Sequence, residues 1–268
     1  IWTIIFTVVP LLIIIFYSFA QRDAFGDVVY KFTLSNYKDF FEPIYLNVFW
    51  RSLKLSLIST VICLFLGYPM AFIMSRSKGL KQNLMVMLFI LPLWTNFLLR
   101  TYAWMGLLRD QGIINELLIK LGLISEPITM LYTNSAVVLG MVYNFLPFMV
   151  LPIFSVLSKM DKSLIEAARD LGANEMNVFM KIIFPLSFPG VATGIVMVFM
   201  PAVSTFVISD LLGGGQTILL GNLIQNQFMA ARNWQFGSSV SVIMMIFLII
   251  SMGYFAKHSS KDGGGKIW

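Results

Sequence analysis

The chain is 268 residues long, 58% hydrophobic and only 12% charged, with a mean hydropathy of +0.81 and a formal net charge of +6. About a quarter of the residues of a soluble domain are charged, so this composition excludes one and identifies an integral membrane protein. The surplus Lys and Arg lie in loops and at the ends of apolar runs, where they report topology and not nucleic-acid binding.

The first apolar run, Ile1 to Phe19, contains Pro10, which is expected to kink it. It has no initiating Met and no basic leading segment, so it reads as a first span whose preceding residues are missing, not as a signal peptide. Gln21 to Glu42 mixes Asp, Lys, aromatics and Gly26 and reads as an external loop. Within it, Leu34 to Phe41 predicts a short interfacial helix capped by Ser35 or Asn36. The second span is predicted from about Phe49 to Met74, with Arg51 and Lys54 snorkelling to the headgroups at its outer end. Ser75 to Lys81 carries Arg76, Lys78 and Lys81 and no acid, which makes this loop cytoplasmic and fixes the orientation of everything else.

The third span, about Asn83 to Trp104, is roughly 33 Å long at 1.5 Å per residue. Pro92, Trp94, Asn96 and Arg100 lie in its outer half. Arg109 to Asn134 is an outside loop with an amphipathic patch, Ile113 to Leu121. The fourth span, about Ser135 to Leu157, carries Tyr143, Asn144, Pro147 and Pro152 and returns to the cytoplasm. A polar, helix-forming island follows. Asp161 and Ser163 offer N-caps, Glu166 stands three residues after Ser163 as in a capping box, and Ala167 and Ala168 are strong helix formers. Gly172 permits the left-handed turn that ends this helix, and Asn174 can cap the next. The fifth span, about Phe188 to Ile208, contains Pro201, Ser204 and Thr205, with Asp210 just past its outer end. Leu211 to Gly237 is an external segment containing Gly213-Gly214-Gly215, and the last span is about Ser238 to Phe255. Lys257, Lys261 and Lys266 put the C-terminus inside, as six spans and a cytoplasmic N-terminus require. The expected fold is thus all-α, six transmembrane helices in a single domain, 1–268, with a cytoplasmic loop at about 158–185.

Glu166-Ala167-Ala168, Gly172, and Ile182-Ile183-Phe184-Pro185 in their spacing resemble the EAA signature of permease subunits of bacterial ABC importers, with Phe184 where the signature usually has Leu. The resemblance implies a type I importer permease fold and a coupling helix docking into an ATPase cleft through Glu166, Ala167, Ala168, Arg169, Asp170 and Gly172. A closer resemblance covers nearly the whole chain. Phe32 to Tyr37, Leu66-Gly67-Tyr68-Pro69, Trp94 to Arg100, Leu146 to Met149, Ser209 to Gly214 and Leu220-Gly221-Asn222 are similar to the PotB-type permeases of spermidine/putrescine importers. It implies a second, PotC-like permease, a dimer of ATPase subunits and an external polyamine-binding protein. Permeases for iron, sulfate, thiamine or phosphonate share the EAA loop, which therefore says nothing about substrate.

The residues themselves offer no catalytic set. One cysteine, Cys63, and one histidine, His258, make neither an internal disulfide nor a zinc site. The glycine run lacks the Lys-Ser/Thr of a phosphate loop. The chain therefore needs no cofactor of its own, ATP and Mg being bound by the partner ATPase. A polycation needs carboxylates for its ammoniums and aromatic faces for its methylenes. Asp210 is the acid adjoining the outer ends of the later spans. Trp94, Tyr102, Tyr143 and Phe206 supply aromatic faces, and with the polar groups of Asn96 and Asn144 all but Tyr102 are placed on a candidate pathway. Phe206 and Asp210 share a face if the fifth helix continues that far. A transport-free membrane scaffold is the competing reading. Polar residues and prolines in mid-span disfavour it.

Overall fold

The computed structural model describes residues 2–23 and 28–262, without the side chains of Thr3 and of 256–262. Gly26, Lys266 and the side chains of Lys257, His258 and Lys261, on which expectations about a loop and the C-terminal side rested, lie outside the described residues.

The core is a trio of long apolar helices: α3 (Pro43–Arg76), α7 (Asn134–Ser158) and α10 (Phe184–Ser204). Cys63, Ala71 and Met74 of α3, Val137, Met141, Met149, Val150 and Ile153 of α7, and Val191, Val198 and Ala202 of α10 are buried against one another. At 34 residues, α3 is about 51 Å long, well beyond the hydrocarbon thickness. Its outward face, with Leu57 and Phe65, is exposed, as suits a helix whose apolar side chains meet lipid or another subunit. α1 (Trp2–Ser18) lies against α13 (Trp234–Asp262), and α13 packs on α10.

At the N-terminal end of α3, a second core forms from Phe40, Leu220, Leu223, Phe236 and Val240. It joins α2 (Ser35–Phe40) and α12 (Leu220–Met229) to α3 and α13. A two-residue antiparallel pair, β1 (Gln21–Arg22) with β2 (Val28–Val29), decorates this end. α2 is capped by neither Ser35 nor Asn36. Thr33 Oγ1 accepts from the Ser35 N–H at 3.1 Å, while the buried Asn36 amide donates to Ser18 O at 3.0 Å and Ala20 O at 2.9 Å, tying α2 to the end of α1.

Among the described residues, four helices are long and apolar enough to cross a membrane: α3, α7, the continuous stretch Glu175–Ser204, and Trp234–Phe255. The other two expected spans take different forms. The first is the shorter apolar Ile4–Ser18. The third is not one helix. α4 (Gly79–Trp94) stops, Thr95 and Asn96 are extended, and α5 (Phe97–Leu108) starts afresh, with a bend of 95° between Gly79–Trp94 and the stretch Phe97–Lys120. The break has a local cause. Pro92 leaves the last turn of α4 without one N–H, and the Asn96 side chain accepts the Leu98 N–H at 2.8 Å as the N-cap of α5. α6 (Ile113–Lys120) matches the expected amphipathic patch. The expected loop of seven residues after α3 contracts to Ser77 and Lys78, because Arg76 prolongs α3 and Gly79 opens α4 at φ +60°.

The fifth span differs at both ends. It begins in α9 (Glu175–Val178), passes through a π-helical turn at Phe179–Ile183 into α10, and ends at Ser204 instead of Ile208. Pro201 lies within the last turn of α10, Thr205 is extended, and α11 (Val207–Gly213) is a separate helix. Much of the expected external segment is therefore helical and packed. Arg51, expected to reach headgroups, instead donates to Asn134 Oδ1 at 2.9 Å, an oxygen that also accepts from Thr217 Oγ1 at 2.8 Å.

Candidate functional site

The first candidate is the polar loop after α7. α8 (Lys162–Asp170) is capped by Asp161, whose Oδ1 accepts the Ser163 N–H at 2.9 Å. Ser163 lies inside the helix, so the expected Ser163–Glu166 capping box is not formed. The Ser163 N–H holds the exposed Asp161 carboxyl below the usual carboxylate range. One face of α8, with Ile165 and Ala168, rests on the core, while Leu164 and Ala167 are exposed. The helix closes in a Schellman motif. The Gly172 N–H donates to Arg169 O at 2.9 Å and the Ala173 N–H to Ala168 O at 3.0 Å, with Gly172 at φ +81°. Asn174 then caps α9 by accepting the Asn177 N–H at 2.8 Å.

This helix–turn–helix is the one expected, with one side chain differently engaged: Arg169 pairs with Glu175 at 2.7 Å across the turn, within the loop itself. Leu171, at the apex, is 88% exposed, and Met176 and Met180 beyond it are exposed as well. The polar loop thus carries an apolar apex that is uncovered among the described residues. Behind the loop, Phe179 meets Tyr68 and Phe72 edge-on at 5.7 and 6.0 Å, and the Tyr68 hydroxyl hydrogen-bonds the Ser187 hydroxyl at 2.8 Å. Phe179 thus ties the turn after α9 to α3, and Tyr68 in turn ties α3 to α10.

The second candidate lies at the other end of the core, where α10 breaks. Phe206 and Asp210 do not continue α10. They stand at the start of α11, where the Asp210 N–H donates to Phe206 O at 2.9 Å and the carboxylate sits in the first turn. The organising residue is Asn222, in the first turn of α12. Its amide nitrogen donates to Phe206 O at 3.1 Å and Asp210 Oδ1 at 2.5 Å, and its oxygen accepts the Leu219 N–H at 3.0 Å and the Ser209 hydroxyl. All four hydrogen-bonding positions of the amide are thereby filled. Ser52 Oγ accepts the neighbouring Leu220 N–H at 2.7 Å, anchoring α12 to α3. A side chain on Gly221 would place its Cβ 2.4 Å from Ser204 O, so only glycine lets α12 reach the break. Asp210 is exposed, with one oxygen held and the other open.

The remaining candidate residues are not gathered around Asp210. Trp94, 77% exposed, and Asn96 flank the α4–α5 break. Tyr143 meets Trp104 edge-on at 5.4 Å and lines an apolar groove of about 700 Å³ between α3 and α7. Asn144 is buried elsewhere, donating to Gly140 O at 2.9 Å with its own oxygen unpaired. Arg100, on α5, has its Nε and Nη1 buried and unpartnered, with Cζ 5.9 Å from the centre of the Phe97 ring. Ser52, Ser209, Gly221 and Asn222 had no assigned role in the sequence reading. The signals for them were the polarity of Ser52, Ser209 and Asn222 beside apolar stretches and the place of Ser209, Gly221 and Asn222 in the resembling segments. Among the described residues no group of three metal-ligating side chains occurs.

Comparison with known proteins identifies the family. Residues 64–262 match the family described as the binding-protein-dependent transport system inner membrane component. The chain is 43% identical over 249 residues to the spermidine/putrescine transport system permease protein PotB of Haemophilus influenzae, covering 93% of this chain and 87% of that protein. It is also 43% identical over 247 residues to PotB of Escherichia coli K12, covering 92% and 90%. In fold it is similar to a bacterial ABC transporter that imports alginate, with a TM-score of 0.80 over 97% of this chain and 91% of that one at 14% identity. With a family match over most of its length and full-length relatives at this identity, the chain belongs to the binding-protein-dependent transport system inner membrane components, the membrane-spanning permeases of ABC importers.

Proposed function

We propose that this chain is a permease subunit of an ATP-driven importer of spermidine and putrescine. The observation that carries the reading is the 43% identity, extending over 93% of the chain, to a permease named for those two polyamines. The chain does no chemistry. It crosses the membrane six times with both termini and the α8–α9 loop in the cytoplasm, moves its solute by alternating access, and takes its energy from a separate ATPase dimer that binds ATP and Mg. A second, PotC-like permease and an external polyamine-binding protein complete the assembly.

The α8–Gly172–α9 loop is the ATPase contact. Its exposed apex and the Arg169–Glu175 pair support that role, since the turn is held rigid while Leu171 is left free to enter a groove. Glu166, Ala167, Ala168 and Asp170 complete the docking helix. Asp210, with its open carboxylate oxygen, receives an ammonium of the solute, and Phe206, Trp94, Asn96, Tyr143 and Asn144 border the path in other states of the cycle. The test is solute-stimulated ATP hydrolysis by the reconstituted complex with its binding protein. Spermidine or putrescine should raise turnover severalfold above the solute-free rate, whereas stimulation by sulfate, thiamine or a phosphonate, with none by polyamines, would overturn the substrate assignment.

A further inference from the structure

The end of α3, the first turn of α4 and the inner face of α8 enclose a cavity of about 420 Å³. Its floor is apolar, formed by Phe72, Leu157 and Ile183 from the helix ends with Ile165 of α8. Its charged lining is lopsided: Arg76, Lys78, Lys162 and Arg169 against a single carboxylate, Glu166. Arg169 is neutralised by Glu175, and Glu166 offsets one of the other three, so the cavity keeps a net positive charge. Arg76, Lys78 and Lys162 make no ion pair among the described residues.

The positive-inside rule explains why cations stand on this side, and Arg76 suits the last turn of α3, but neither sets all three around one cavity. Three carbonyls near the end of α3 already accept from neutral side chains: Phe72 O from the Ser75 hydroxyl at 2.8 Å, Ile73 O from the Ser77 hydroxyl at 3.0 Å, and Met74 O from Gln82 Nε2 at 3.2 Å. The Arg76 guanidinium is held over the Phe72 ring, 4.2 Å from its centre, on the cavity's own floor. Lys162 is the first residue of α8, where the helix end carries partial positive charge and disfavours a cation.

We propose that this cavity binds the phosphate of an anionic membrane lipid, with Arg76, Lys78 and Lys162 around the phosphate and the glycerol portion against Phe72 and Ile165. A free anion has no use for the apolar floor. That floor is made from the ends of membrane-spanning helices, and a basic pocket between such ends is what an anionic headgroup requires. Because Arg76 and Lys78 flank the α3–α4 turn while Lys162 opens α8, a bound lipid links that turn to the α8–α9 loop.

The test is native mass spectrometry of the assembled transporter released from nanodiscs containing equal amounts of phosphatidylglycerol and phosphatidylcholine. Wild type should retain phosphatidylglycerol preferentially. Each cation removed should lower that retention about fivefold, and the triple variant R76Q/K78Q/K162Q about a hundredfold. The control K159Q/K181Q, which removes two cations outside the cavity lining, should keep the preference. Equal retention by wild type and triple variant overturns the proposal, as does an equal loss in the control. Displacement of the lipid by millimolar inorganic phosphate reassigns the site to a free anion. Retention seen only after the ATPase is stripped away means that an acidic surface of the ATPase fills the cavity. Either of these outcomes overturns the lipid assignment.

Discussion

The Asn222 amide donates to Asp210 Oδ1 at 2.5 Å, and together with the bond it accepts from the Ser209 hydroxyl this contact joins the first turn of α12 to the first turn of α11. It allows the charge of Asp210 to be separated from its structural role. In Asp210→Asn the new side-chain oxygen can still accept from Asn222, so the melting temperature in detergent should stay within a few degrees of wild type. Loss of a charge-assisted contact to an ammonium, about 1.5–3 kcal/mol, should nonetheless slow uptake of labelled spermidine roughly ten- to a hundredfold. The effect should exceed that of Trp94→Phe, which keeps an aromatic face. Asn222→Ala should do the reverse. It strands the buried Leu219 N–H, leaves the Ser209 hydroxyl with Phe206 O alone, and destabilises the chain by roughly 1–3 kcal/mol. Wild-type uptake by Asp210→Asn would leave that carboxylate with only its place in α11.

The close approach at Gly221 makes a second prediction. A Cβ there would meet Ser204 O at 2.4 Å and Thr205 O at 2.8 Å, both backbone atoms that cannot rotate away. Gly221→Ala should cost roughly 1–3 kcal/mol by overpacking. Gly106→Ala in α5 has nothing within 4 Å of the new Cβ and should be neutral or gain up to about 1 kcal/mol of helix propensity. Thermal unfolding of the two variants side by side decides the matter, and equal melting temperatures would remove the close-packing argument.

Gly172 differs from Gly221 because a Cβ there meets nothing within 4 Å and the penalty is set by its φ of +81° alone. Gly172→Ala should strain the turn by roughly 1–2 kcal/mol, Gly172→Val by more, and Gly172→Asn by less. Since the turn sets the angle between α8 and α9, solute-stimulated ATP hydrolysis should fall in the order Asn, Ala, Val while the subunit still reaches the membrane. Full stimulation in Gly172→Val would show that the turn angle does not matter.

How far the chain could be read from its residues depended on how local each cause was. The α8–α9 loop was legible because Asp161, Gly172 and Asn174 act on neighbours within a few positions. The core helices were legible from their apolar runs. The breaks after Trp94 and Ser204 were not, because the hydrophobic run passes through both and the local signals, Pro92 with Asn96 and Pro201 with Thr205, fit a kinked but continuous span equally well. Asn222 was quoted within a resembling segment but given no role, since its partners lie up to 16 residues away and meet it only once α12 folds back on the α10–α11 break. Arg51 reads as a headgroup anchor by position alone. Its partner, Asn134, stands 83 residues later.

The cap of α8 has a pH signature. Asp161's carboxyl is held low by the Ser163 N–H, so the cap contributes fully above the ordinary carboxylate range of about pH 4 and is lost as pH falls through the lowered native value. Amide exchange in the first turn of α8 should therefore be as protected at pH 6 as at pH 8 once corrected for intrinsic rates. Asp161→Ala should raise exchange at the Ser163 amide at both, and unchanged protection in that variant would remove the cap from the account.

The central claim, that this chain carries polyamines, is tested most directly by the initial rate of labelled spermidine accumulation in proteoliposomes. These would contain the two permeases and the ATPase, with binding protein outside and ATP inside. Accumulation should require both ATP and binding protein, and should fall roughly ten- to a hundredfold in Asp210→Asn at equal permease level. No accumulation of spermidine or putrescine by a complex that accumulates another solute under the same conditions would contradict the account.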